Sequence, residues 1–301
     1  MPNGEDLYTV EADTPDISGA VMLVELRGFM DAGQAGQGVT EYLLKELDHQ
    51  VVASFDVDEL IDYRGRRPVM TFDTDHWVDY DAPRLRVYLM RDDVGVPFLL
   101  LSGDEPDLRW ERFAEAVQSL IEKFGIRLTV ALHGIPMGAP HTRPLGVTAH
   151  GTDASLLPSG ERTLNRLQVP GNAAALLELR LGQAGHDAIG FAVHVPHYLA
   201  QASYPNASVR LLESLHQATG LSVSVESLRE EGRVVDAEVD SQVRASQEVS
   251  DVVAALERQY DMFDDSRPSL LVEESEEELP TGDELGEQFE RFLAEQQRRS
   301  E

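Results

Sequence analysis

Short apolar runs alternate with helical periodicity from about residue 20 to 220. Ala20 to Leu26 reads as a strand. A glycine-rich turn follows, and then a helix near Gly36 to Asp48, whose Val39, Leu43, Leu44 and Leu47 fall at helical spacing. Val51 to Val57 reads as a second strand. Val69 to Val78, Leu85 to Met90 and Pro97 to Leu101 are further strands, with room for a hairpin among them. Over Leu108 to Phe124 the stripe Phe113, Val117, Leu120, Ile121 and Phe124 predicts a helix that stops at Gly125. Ile126 to Leu132 is apolar on both faces, as a buried parallel strand is. Val147 to Ala149 and Ala188 to Val193 read as strands, and Asn172 to Ala184 and Asn206 to Thr219 as helices ended by Gly185 and Gly220.

Strands alternating with helices predict an α/β fold, a mainly parallel sheet flanked by helices. Residues 20–220 form its core, behind an N-terminal segment of residues 1–19. Residues 221–263 read as a helical subdomain carrying the stripe Val249, Val252, Val253, Leu256, Tyr260 and Phe263. An acidic stretch, 264–281, is too charged to bury and reads as a linker. The capping box Thr281-Gly-Asp-Glu284 then opens an amphipathic helix over 282–298, with Leu285, Phe289, Phe292 and Leu293 on one side as a candidate partner-binding face. That helix either docks on a partner or folds back on its own core.

Charge narrows the partners. The chain has 54 acidic against 25 basic residues and a formal net charge of −29, which repels phosphate backbones and anionic lipid headgroups. Neither nucleic acid nor a membrane is an expected partner. No apolar run approaches the roughly 20 residues of a membrane span, and the N-terminus lacks a basic leader, so the cytoplasm is the expected compartment. With no cysteine, the chain has no disulfides, thiolate metal sites or thiol nucleophile.

Three loops are suited to chemistry, and all follow predicted parallel strands, so they should share one rim of the sheet. The first holds Gly28, Asp31, Gly33 and Gln34. Its glycines miss the dinucleotide spacing at Ala35, and Val39 stands where a phosphate loop needs lysine. Close strand-to-helix packing is the first expectation, with anion binding at the helix start second. The second loop, His133 to Pro144, carries His133, Met137, His141 and Arg143, able to orient an anion but with no nucleophile fixed by spacing. The third is His194-Val-Pro-His197. Lacking H-E-x-x-H, the histidines predict no metal site. No catalytic residue and no cofactor is assigned. Capping of the next helix by Asp104 or Asp107 is expected in the turn after Leu101.

Gly28-Phe-Met-Asp-Ala-Gly33, Leu101-Ser-Gly-Asp-Glu-Pro106, His133-Gly-Ile-Pro-Met-Gly138 and Pro140-His-Thr-Arg-Pro144 together resemble the proteasome assembly chaperone family, in its prokaryotic, actinobacterial-type branch. The resemblance covers about residues 20 to 260. It implies a purine nucleoside phosphorylase-like α/β core with a C-terminal helical extension, self-association (a trimer by analogy with phosphorylase-like folds) and no established catalytic residues. Relatives that dock on proteasome rings use a hydrophobic-Tyr-any residue tail. Here the last residues are Gln-Gln-Arg-Arg-Ser-Glu301, which puts docking by that route in question. Two readings of function follow. One is a non-catalytic protein-binding or assembly protein that binds itself and another protein; the alternative is an enzyme or sensor for a small anionic metabolite at the carboxyl edge of the sheet. On the first reading, deleting 264–301 leaves the core folded but weakens partner or self-association, measured by pull-down and light scattering. Unchanged association would remove the tail from the mechanism.

Overall fold

Apolar residues alternate between two faces in the central strands, and that alternation sets the layers. In the computed structural model Val21 and Leu23 belong to one buried cluster, while Met22 and Val24 belong to another on the opposite side of the sheet. Residues 4–12, 14, 15, 17–158 and 166–265 are described by the structure. The chain divides into two compact units, Met1–Tyr260 and Asp261–Glu301; the predicted linker beyond 265 and the helix bearing Leu285, Phe289, Phe292 and Leu293 lie outside the described residues.

In chain order the elements are β1 (Tyr8–Val10), β2 (Val21–Arg27), α1 (Ala35–Glu46), β3 (His49–Phe55), β4 (Met70–Asp73), β5 (His76–Tyr80), β6 (Leu85–Arg91) and β7 (Pro97–Asp104). Then come α2 (Trp110–Phe124), β8 (Leu128–Met137), β9 (Val147–Gly151), α3 (Ala173–Ala184), β10 (Ala188–Pro196), α4 (Pro205–Thr219), α5 (Glu226–Ala245) and α6 (Gln247–Asp265). The main sheet has the order β1-β3-β6-β7-β2-β8-β10-β9. Its centre, β7-β2-β8-β10, is parallel, and antiparallel strands flank it on both sides. Helices α1 and α4 cover one face and α2 and α3 the other. β10 is buried at every position because it has strands on both edges and helices on both faces.

The structure departs from the sequence reading in several places. Tyr8–Val10, in the N-terminal segment, joins the sheet against β3. Val69 to Val78 is a hairpin, β4 with β5, rather than one strand. β8 does not stop at Leu132: it runs on to Met137, through Pro136. Beyond Ala131 β8 loses its β2 neighbour and keeps only β10, and a proline is tolerated where one side of the strand needs no donor. Neither Asp104 nor Asp107 caps α2, whose N-cap is Arg109 with no side-chain cap; Asp107 instead accepts from the main chain of Asp62 (2.8 Å) and binds Arg66. Asn172 does cap α3, accepting from the N–H of Ala175 at 2.8 Å.

Two leucines on α3 test the layering. Leu181 is fully buried and Leu179 is 55% exposed. Leu181→Ala should lower unfolding stability by about 2–5 kcal/mol, and Leu179→Ala should change it by no more than about 0.5 kcal/mol, both read from urea midpoints.

Candidate functional site

The carboxyl ends of β2, β8 and β10 meet the three predicted loops on one rim. There they bind one another. Asp31, between β2 and α1, accepts from the main-chain N–H groups of Gly36 and Gln37, both at 3.0 Å, and from that of Gly134 on β8 at 2.8 Å. One carboxylate thus serves the orphan donors at the start of α1 and ties that helix to the strand. The approach is close: a Cβ on Gly36 would lie 2.5 Å from the Leu132 carbonyl oxygen, and one on Gly134 would lie 2.1 Å from that of Ala32. Glycine at both positions is a condition of the packing. Gly33 donates to the Ala200 carbonyl at 2.9 Å and accepts from Tyr204 at 2.8 Å, joining the first loop to the segment after β10. Gly28 and Gln34 are exposed at the margin.

The second loop is a seat for helices. His141 is buried, and its ring sits between Tyr198 (Nδ1 to the hydroxyl oxygen, 2.7 Å) and Asp240 of α5 (Nε2 to Oδ1, 3.2 Å). The Tyr198 hydroxyl oxygen also accepts the His141 main-chain N–H at 2.8 Å. A carboxylate only accepts, so Nε2 donates its hydrogen to Asp240. Arg143 pairs with Glu257 of α6 at 3.4 Å, Thr142 donates to the same carboxylate at 2.6 Å, and Tyr260 donates to the Pro144 carbonyl at 3.0 Å. His141 and Arg143 also border a cleft of about 370 Å³ beside Tyr204 and Arg210. Met137 is half-buried at the end of β8, opposite Pro196.

The other histidines belong elsewhere. His133 and His194 are strand residues on the α3 face of the sheet, away from His141. His194 shares a hydrogen bond with Thr148 (2.8 Å) and is buried. The His133 ring lies 6.3 Å from that of His150, which donates to Glu178 at 2.9 Å. Burial, with His150 adding to it, pushes His133 down to about 4. His197 is exposed and stacks edge-on against Tyr198. Among the described residues no three His, Asp or Glu side chains are grouped to hold a metal ion, and no helix is long and apolar enough to cross a membrane.

Glu25 is the residue that sequence reasoning missed. It lies in β2 with the parity of Val21 and Leu23, so its carboxyl points toward α1, where it is buried. Desolvation, reinforced by the Asp31 charge, raises it to about 7. Ser102 of β7 donates to it at 3.3 Å. The available signal was a lone carboxylate at an inward position of an apolar strand. Glu105 was missed as well: it is buried and accepts from the N–H of Ala173 at 2.7 Å, at the start of α3.

An eight-stranded α/β sheet whose carboxyl rim is occupied by its own loops and helices is the class that this geometry defines. The PAC2 family profile matches residues 26–243, and the chain belongs to that family. Among solved structures it is similar to Rv2714 of Mycobacterium tuberculosis, a protein of unknown function. They share 47% identity with a TM-score of 0.82, over 88% of this chain and 93% of that one. A Corynebacterium glutamicum protein of unknown function shares 39% identity (TM-score 0.83), over 87% of this chain and 99% of the other. Rv2125 of M. tuberculosis, a proteasome-assembly chaperone homologue, shares the fold at 23% identity (TM-score 0.71), over 77% and 99% of the two chains. A search of the curated proteins finds no match.

Glu25 and His133 have opposite pH signatures. Glu25 holds its proton more tightly when folded, so its contribution is complete below about pH 4.5 and is lost as the pH rises through about 7. His133 is protonated less readily when folded, so stability is lost as the pH falls from about 6.5 through about 4. Urea unfolding should show Glu25→Gln gaining on the parent as pH rises, and His133→Asn gaining as pH falls. Each gain should reach at most about 3.5 kcal/mol, at about 1.4 kcal/mol per pKa unit.

Proposed function

We propose that the protein is a non-catalytic docking and assembly protein of the PAC2 family, which self-associates and presents a surface to another protein. The observation that carries this reading is the β4–β5 hairpin. All nine of its strand residues are exposed, including Met70, Phe72, Trp77, Val78 and Tyr80. Phe72 and Trp77 pack edge-to-face with ring centroids 5.0 Å apart, yet they remain 54% and 61% exposed. An isolated two-stranded hairpin is marginal in water, and a contiguous apolar surface of this kind ordinarily marks a protein contact. Aromatic side chains are also the type that anchors interfaces.

The rim supports the same reading from the other side. Asp31, His141 and Arg143 are all engaged in holding the fold together, so the loops that looked chemical act as structural fasteners. The fold shared with a proteasome-assembly chaperone homologue makes a proteasome component the first partner to try. The cytoplasm is the compartment in which that partner would be met. A trimer remains the proposed assembly.

In light scattering of the full chain, the double variant Phe72→Ser, Trp77→Ser should move the mass toward that of the 33.3 kDa protomer with the circular dichroism spectrum unchanged. An unchanged mass, or a parent protein that is itself a monomer, would sink the hairpin as the self-association surface.

A further inference from the structure

A cavity of about 600 Å³ opens where β2 and β7 end beside α1, a volume in the range of small-molecule sites. It adjoins the first predicted loop at Gln37 but uses none of the candidate residues of the three loops, and its two ends differ chemically. Glu25, Ser102 and Thr40 lie at its polar, buried end. Thr40 is 6% exposed; its hydroxyl lies beside the Glu25 carboxyl and helps hold its charge, yet no described residue meets it at full hydrogen-bond geometry. A buried hydroxyl left without a partner costs about 1–3 kcal/mol, so a polar group arriving there gains what the fold forgoes.

Four guanidiniums border the same cavity, in a chain where acids outnumber bases 54 to 25. Two are engaged: Arg27 with Asp104 at 3.4 Å, and Arg66 with Asp107 and the Glu105 carbonyl. Arg67 and Arg84 are exposed and have no ion pair among the described residues. The remaining carboxylates on the lining are Glu41, which accepts from the neutral Gln37 amide at 2.7 Å and keeps its charge, and Asp81; among the described residues neither is ion-paired with Arg67 or Arg84. Paired guanidiniums suit a dianion such as phosphate better than a single carboxylate. A hydroxyl both donates and accepts, which matches a carboxyl and an unpartnered threonine side by side.

We propose that this cavity binds a small hydroxyl-bearing organic phosphate, with its hydroxyls on Glu25 and Thr40 and its phosphate on Arg67 and Arg84. The site goes beyond the docking role and involves neither Phe72 nor Trp77. Calorimetric titration of the full chain with glucose 6-phosphate, glycerol 3-phosphate, glucose and inorganic phosphate tests it. At least one of the two organic phosphates should bind at least about tenfold more tightly than inorganic phosphate, a difference of about 1.4 kcal/mol. Thr40→Val should weaken the organic phosphate and leave inorganic phosphate unchanged. Arg67→Ala with Arg84→Ala should weaken both, and exposed arginines can be removed without unfolding the chain. Any of three results would overturn the proposal: no binding of either organic phosphate, affinity equal to that of inorganic phosphate, or indifference to the arginine variants.

Discussion

The Asp31 carboxylate and the two glycines facing it hold α1 against β8, and the rest of the rim is built on that contact. Three main-chain N–H groups converge on one charged acceptor, two from the first turn of the helix and one from the strand. Charge-assisted hydrogen bonds are the strong kind, and here they work where a helix start would otherwise bury unsatisfied donors. The contact closes only because Gly36 and Gly134 have no Cβ to strike the opposing carbonyls. With α1 in place, Glu25 is trapped between the helix and β7, and its ionisation becomes a property of the packing.

From that anchored rim the chain builds outward through polar side chains. His141, Thr142 and Arg143 reach the carboxylates of α5 and α6, and Tyr260 returns a hydrogen bond to Pro144. Proline and glycine shape this segment into a rigid platform, and the platform then receives helices whose own apolar content is modest. On the other face of the sheet, His133, His150 and His194 find partners in Glu178 and Thr148, or are kept neutral by burial. The histidines are thus divided between two faces, which is why they do not act as one chemical set.

The hairpin stands in contrast. On the rim Asp31, His141 and Arg143 have work within the chain, whereas Phe72 and Trp77 pack on each other and stay more than half exposed. On the proposed reading, exposed aromatic side chains of this kind are the surface offered to another protein. The cavity at β2 and β7 shows the same principle in polar form: groups already held by the fold, with a hydroxyl and two arginines left over.

Much was legible in the residues alone. The α2 stripe Phe113, Val117, Leu120, Ile121 and Phe124 is buried as its spacing requires, and Gly36 in the turn after β2 lets α1 approach β8 closely. Periodicity and glycine placement act locally, so the sequence determined the elements, the α/β class and the shared rim. What it left open were relations between distant residues: that Pro136 falls where β8 has a single neighbour, that Asp240 and Glu257 meet His141 and Arg143, and that Glu25 lies beneath Thr40. Only the tertiary structure decided these, because burial and partnership depend on which segments the fold brings together, and no spacing within a single segment records that.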